Sequence, residues 1–508
     1  MTTAERLVRA AQRAYEEGNK KGAQKNYLKA AKMGNAEGMF FAGSGYLYGE
    51  GVEKNLDEAF RWFKEADESG HEGAKNYIGL VYSQKGDAET AFKYFLEAAK
   101  AGDLIAMVNA ADSYRCGDGV KENPRKAVEW FKKAVEQNDP MAMLRLGDMY
   151  YYGEGTRKNR RKALDLYTRG ATLGSGGCMN MLGLMYSSGE IFRKNDEKAF
   201  QWFLKSAMTS HSEGMYNAAF CYLIGLGVEQ NISEGLDFMM QSAILGCADA
   251  MYYLSGICSE RGADEKAFHW MLRAAEGGHV TAMNELGVMY YDGTGVEKNI
   301  DEALRWFEKA AAEGNANACT NLALYYSGID GKFDLALEFY EEAIARGDEN
   351  ALDELADMYF DHEYYEQALE LFSSSADKGS TFAMRALYFM YGEGVGVEQD
   401  LDRAFNFIES AAKAGDPEAM VELGKIYAWS PDESRRAHYW LKKSADTGYE
   451  NGMMELAEFL EKREDLKGAR YWYYKAVEAG AEGAREKLDA ISGAGKISYG
   501  GSARPEKF

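Results

Sequence analysis

The chain has 508 residues, 81 of them acidic against 59 basic, and a formal net charge of −22. That balance excludes nucleic acid and an anionic membrane surface as main partners, because phosphate binding needs concentrated Lys and Arg. No apolar stretch approaches the roughly 20 residues of a spanning helix, so no membrane insertion is expected, and the opening residues lack the apolar segment of a secretory signal, so a cytoplasmic protein is expected.

Residues 1–35 read as a degenerate first repeat acting as a cap. From residue 36 a fixed period sets in. Thirteen units follow: 36–71, 72–103, 104–139, 140–175, 176–211, 212–247, 248–279, 280–315, 316–348, 349–380, 381–416, 417–449 and 450–481. Seven have 36 residues and the others have 32 or 33. A period of this size marks a stacked repeat architecture. Each unit then touches only its neighbours, so one continuous array replaces the several domains that length alone suggests. Residues 482–492 read as a capping helix, and the Gly-rich tail 493–508 is expected to be disordered.

Each unit carries two helical patterns. The first reads A-x-x-x-L-G-x-x-Y, as in Ala282, Leu286, Gly287 and Tyr290, which fall on one face at helical spacing. A G-x-G-V loop follows in the long units (Gly293, Gly295, Val296). The second helix opens at an Asn cap, and Glu58 after Asn55, like Glu302 after Asn299, suggests a reciprocal capping box. It reads A-x-x-W-[FLM]-x-x-A and stops at a residue expected in left-handed conformation. That residue is Gly in eleven units, and Asn138 and Ser210 stand in the other two. The 32-residue units lack the G-x-G-V loop. In 72–103 the stretch from Tyr82 to Ala91 joins the two helices directly.

Little in the chain suggests chemistry. Six Cys, at 116, 178, 221, 247, 258 and 319, repeat no pair from unit to unit, which fits reduced thiols. His71, His211 and His279 occupy the turn that closes a repeat, and no paired His or Cys motif for a metal occurs. The G-x-G-V loops lack the G-K-[ST] of a phosphate loop and follow a helix, so they read as turns. Seven of eight Trp fall on one second-helix position and read as core. Trp429, in a loop, is expected to pack beneath that loop. No catalytic residue, cofactor site or metal site is assigned.

The ordered recurrence of L-G-x-x-Y, G-x-G-V, A-x-x-W-F and a terminal G-[DNH] resembles the Sel1-like repeat proteins, relatives of the tetratricopeptide class. The resemblance covers roughly residues 4–490, with local departures at Tyr388, Cys258 and Leu460. It implies an all-α fold, a right-handed superhelical α-solenoid of stacked antiparallel helix pairs. It also implies that first helices line a concave groove. Two positions of each first helix then face the groove, two residues before the motif Leu and two after it. Their centre is apolar and aromatic: Leu184, Tyr216, Phe220, Tyr252, Val288 and Leu324. Asp112 and Asp148 flank it on one side, Asp353 and Asp357 on the other. Apolar anchors with a polar rim are the usual anatomy of an interface.

The expected function is a non-catalytic scaffold or adaptor that binds a protein partner, a peptide or a helix with basic flanks. Two alternatives stay open: a hydrolase with a groove site, and a substrate-receptor subunit of a ubiquitin-ligase-like complex.

Overall fold

The computed structural model describes residues 2–493, so the tail 493–508 lies, except for its first residue, outside the described residues. Among the described residues there are α-helices and one short 3-10 turn, Pro431–Glu433, and no strand. The chain divides after His279 into two compact units. In both, each helix packs on the next in sequence, so that hairpins such as Pro140–Tyr152 with Arg160–Thr172, and Val280–Asp292 with Ile300–Ala312, are the building blocks. The helix Ala484–Gly493 packs on the last hairpin helix, Leu466–Ala479.

The motif residues hold these hairpins for identifiable reasons. The Gly of the L-G pair faces a ring on the second helix. A methyl group added at Gly287 would lie 2.5 Å from Phe307, and one at Gly183 would lie 2.5 Å from Phe203. Glycine therefore sets the distance between the two helices. The ring that fills this space is the residue after Trp, not Trp itself. Phe63, Phe131, Phe203 and Phe307 are buried, each contributing about 1.5–3 kcal/mol through burial.

The Trp series is less buried than core residues would be. Trp62 and Trp306 are buried, whereas Trp130, Trp202, Trp270, Trp440 and Trp472 are half-buried. Their outer faces carry cations one turn on, such as Lys133 at 3.9 Å from the Trp130 ring and Lys205 at 4.3 Å from Trp202. Position i+3 lies over the same face, so the ring is the rim of the core with a cation on its solvent side. Trp429 departs from expectation more sharply. It does not pack under its loop but is 90% exposed.

Capping also differs from the reciprocal box. Asn55 and Asn299 do accept hydrogen bonds from the amides of Glu58 and Glu302. Their own N–H groups, however, donate to the carbonyls of Tyr46 and Tyr290, at 2.9 and 2.8 Å. The donor that a returning Glu would need is already used, and it is used to tie the second helix to the end of the first. The turns at the repeat ends have the expected hand: Gly70 and Gly314 lie at φ 81° and 91°, and Asn138 and Ser210 at 62° and 59°. In the G-x-G-V loops the second glycine does more than turn. A methyl at Gly119 would sit 2.0 Å from the Ala88 carbonyl oxygen, and one at Gly227 2.1 Å from that of Asp196. The loop of one repeat thus rests on the start of the previous second helix, which locks neighbouring repeats in register.

Candidate functional site

The two groove positions of the first helix are not equivalent. The position two residues after the motif Leu is exposed in the repeats that carry an apolar side chain of the predicted centre there. Leu184 and Phe220 in the first compact unit, and Val288 and Leu324 in the second, are 37–42% exposed. Phe389 shares the position at 48%. These are large apolar side chains left open to solvent at one recurring position of the fold.

The position two residues before the Leu turns inward. In five repeats it meets the residue that closes its own repeat. Phe40 stacks on His71 and Tyr252 on His279, with ring centroids 4.2 and 4.4 Å apart. Thr320 donates to Asp348, Asp353 accepts from Ser380, and Arg385 pairs with Asp416 at 3.3 Å. Tyr216 is half-buried, and burial raises its hydroxyl pKa. Tyr216 and Tyr252 are therefore only partly available to a partner, and Tyr252 already carries a stacked ring.

The acidic flanks are also partly spent inside the protein. Asp112 meets Arg115 at 3.3 Å and Arg145 at 3.9 Å. Asp148 accepts the Tyr167 hydroxyl at 2.7 Å, and burial raises its carboxyl pKa despite that bond. Asp353 accepts from Ser375 and Ser380. Asp357 differs. It is half-buried, its pKa is raised by burial and by Asp361, and it borders a cavity of about 250 Å³ walled by Phe360, Phe372, Phe382 and Phe389. Beside it, burial and the neighbouring Asp357, Asp353 and Asp348 raise the Glu354 pKa. Of the four predicted flank carboxylates, Asp357 is the one with no hydrogen bond or ion pair among the described residues, and Arg385 lines the same cavity.

A second cavity of about 210 Å³ lies between Val288 and Leu324, over Tyr291, Phe307, Asn321 and Tyr325. Two further features escape a reading by motif. One is the concavity beside Trp429, where Lys462 and Arg463 line the wall. The other is a set of Asn–Asn bonds between neighbouring first helices, such as Asn321 to Asn284 at 2.9 Å. The recurrence of Asn at the −2 position in Asn76, Asn180 and Asn284 was the available signal for these bonds. Among the described residues no cluster of His, Cys, Asp and Glu has the geometry to hold a metal. Also among them, no helix is long and apolar enough to cross a membrane. All six cysteines are free thiols, with Cys116 exposed and Cys258 half-buried.

Comparison with known proteins places these helices in a family context. The Sel1 repeat family model matches fourteen segments: 9–35, 36–71, 76–103, 104–139, 140–175, 177–210, 212–247, 248–279, 280–315, 316–348, 365–380, 383–416, 417–449 and 451–480. A chitin synthase regulator of Saccharomyces cerevisiae is 39% identical over 72 residues, 14% of this chain and 10% of its own. An F-box protein of Arabidopsis thaliana is 33% identical over 93 residues, 18% of this chain and 25% of its own. The chain thus matches a quarter or less of the length of these curated relatives. Among solved structures, a protective antigen of uropathogenic Escherichia coli with an SLR fold is 27% identical. It covers 96% of this chain and 99% of its own at a TM-score of 0.44. A Sel1 repeat protein of Oxalobacter formigenes is also 27% identical, covering 46% of this chain and 98% of its own at a TM-score of 0.40.

Proposed function

This chain belongs to the Sel1 repeat family, whose members generally serve as protein-interaction scaffolds, and from that premise we propose that it is a non-catalytic cytoplasmic adaptor binding a protein partner along its first helices. The observation that carries this reading is a pair of exposed apolar side chains at one repeat position in each compact unit: Leu184 and Phe220 in the first, Val288 and Leu324 in the second. Isolated exposed apolar residues are ordinary. Pairs on neighbouring first helices are what a contact surface requires. Burying such residues on a partner supplies the affinity, and a largely preformed surface limits the ordering cost. The carboxylates of Glu354 and Asp357 favour a partner with basic residues beside its apolar anchors.

The catalytic alternative has less support. The raised carboxylates are explained by burial and by one another, and the Ser and Thr hydroxyls that meet Asp353 and Asp348 join a first helix to the second helix or closing turn of its own repeat. The two curated relatives are matched over a quarter or less of their own length, and the activity of neither is assigned to this chain.

The test is affinity capture with the full chain and with two variants, Leu184→Asp/Phe220→Asp and Val288→Asp/Leu324→Asp, checked for retained helicity. Specific partners lost from the variants support the reading. Partners retained by both variants contradict it.

A further inference from the structure

We propose that a cavity beside the buried Gln24 binds a neutral aromatic ring carrying an N–H or O–H donor, as phenol and indole do. The site shares no residue with the exposed apolar pairs discussed above, and the two readings stand or fall separately.

The cavity has about 200 Å³ and is lined from three successive helices, Thr3–Glu16, Lys20–Lys32 and Ala36–Tyr48, with Glu50 from the loop that follows. It exists because two core places have changed. Elsewhere in the array those places hold apolar pairs: Val128 with Met149, Leu164 with Met185, and Phe200 with Cys221, all of them in hydrophobic cores. Here the second-helix place holds Gln24, and the place on the next first helix holds Gly45. Gly45 is the only glycine at its place in the thirteen units. A methyl group at Gly45 would lie 2.3 Å from the Gln24 Oε1, so the glycine is what admits the amide. A terminal repeat is polar on its outer face, but Gln24 is 2% exposed and faces inward.

The Gln24 Nε2 donates to the Ala42 carbonyl at 2.9 Å, which fixes the amide plane. Gln24 lines the cavity, and among the described residues its Oε1 accepts no hydrogen bond. A buried acceptor without a partner is unfavourable, so the site calls for a donor. The buried Ala23, Tyr27 and Gly45 close the inner end, and Phe41 stacks on Tyr27 with ring centroids 5.0 Å apart. The mouth is polar and already neutralised: Glu50 accepts from the Tyr15 hydroxyl and from Lys20, both at 2.9 Å. A cation would have to displace Lys20, and an anion would meet the Glu50 carboxylate. The occupant is therefore uncharged.

Size and walls define the rest. A cavity of roughly 150 Å³ takes one benzene ring, so this one takes a ring with a polar substituent, or a bicycle. Aromatic walls favour a flat apolar body. A bare hydrocarbon would cover the Gln24 oxygen and leave it unpaired.

The test is calorimetric titration of the full chain with phenol and indole. Toluene serves as the ring without a donor, and benzoate and benzylamine as charged rings. Phenol and indole should bind at least about tenfold more tightly than the other three. Gln24→Leu should erase the preference for phenol over toluene. Gln24→Leu/Gly45→Met, which installs the pair found at Leu164 and Met185, should abolish ring binding while circular dichroism shows the fold retained. A Gly-Ser peptide with a single Tyr identifies the source. Binding as tight as phenol assigns the ring to a partner's side chain, and binding by phenol alone assigns it to a free molecule; either supports the site. The proposal is overturned if no ring binds, if toluene binds as well as phenol to wild type, or if the preference survives Gln24→Leu. Undiminished binding by a folded double variant overturns it as well.

Discussion

The ring of Phe40 lies on the imidazole of His71, centroids 4.2 Å apart and planes within 12°. The two residues belong to one repeat, yet they stand at its opposite ends. Phe40 is on the first helix and His71 in the closing turn. The contact therefore ties the start of a repeat to the place where the next begins.

This contact carries a pH dependence. Burial lowers the His71 pKa below its ordinary 6.5, while Glu37 and Glu72 pull the other way. The folded protein thus takes up this proton at a lower pH than the unfolded chain does. Stability from neutral His71 is complete above about pH 6.5 and is lost as pH falls through the lower folded value. Protection factors in Leu56–Glu68 and Ala74–Gln84, each taken against the intrinsic exchange rate at the same pH, should fall on acidification to about pH 5.5, and less so in His71→Asn. An equal fall in both proteins would contradict the assignment.

Deletion of core rings should act locally and unequally. Phe203 is 4% exposed and packs against Gly183, whereas Trp202 is half-buried at the rim. Phe203→Ala should cost about 3–5 kcal/mol, and Trp202→Ala distinctly less. Urea unfolding gives the order. In Phe203→Ala, hydrogen exchange should rise first in residues 176–247, because repeat arrays are stabilised by nearest neighbours. Uniform loss of protection across both compact units would count against that.

The repeat made much of this legible in the sequence. Thirteen aligned copies expose the helix faces, the caps and the left-handed turns, because each constraint is local to one motif position. What was not legible depends on contacts between positions. The sequence does not show that Phe307 rather than Trp306 fills the space over Gly287. Nor does it show that the Asn299 N–H is already taken by Tyr290. The candidate site divides in the same way. Leu184, Phe220, Val288 and Leu324 are exposed, but the roles of Asp112, Asp148 and Asp353 are set by their Arg, Tyr and Ser partners, most of them on other helices. Trp429 carries no periodic signal at all.

Asp148 illustrates such a hidden role. Burial raises its carboxyl pKa above 3.8, and the Tyr167 hydroxyl only partly offsets this. The folded protein takes up this proton at a higher pH than the unfolded chain. Ionised Asp148 therefore opposes folding at neutral pH, and the penalty disappears as pH falls towards 3.8. Asp148→Asn keeps an acceptor for Tyr167 and removes the charge. Its stability at pH 7 should equal or exceed that of wild type, and its stability should depend less on acid. Tyr167→Phe should instead lose about 0.5–1.5 kcal/mol. A large loss in Asp148→Asn at neutral pH would show that the charge itself is needed.

Asp357 should behave as a steering charge. It is half-buried beside the Phe360–Phe389 cavity and has no ion pair among the described residues. Asp357→Asn should lower the association rate with a basic partner and flatten its salt dependence, with little change in dissociation. Stopped-flow binding at two salt concentrations separates these effects. An effect confined to dissociation would make Asp357 a direct contact instead.

The central claim is that the exposed apolar pairs on the first helices engage a protein partner. The most direct measurement is photo-crosslinking in living cells from single positions. A photoreactive residue is placed at Leu184, Phe220 or Leu324, and in parallel at the exposed second-helix positions Lys132, Lys205 and Glu308. The account predicts discrete protein adducts from the first-helix positions, absent from the second-helix set and lost when Val288→Asp accompanies Leu324. Adducts confined to the second-helix positions would contradict it.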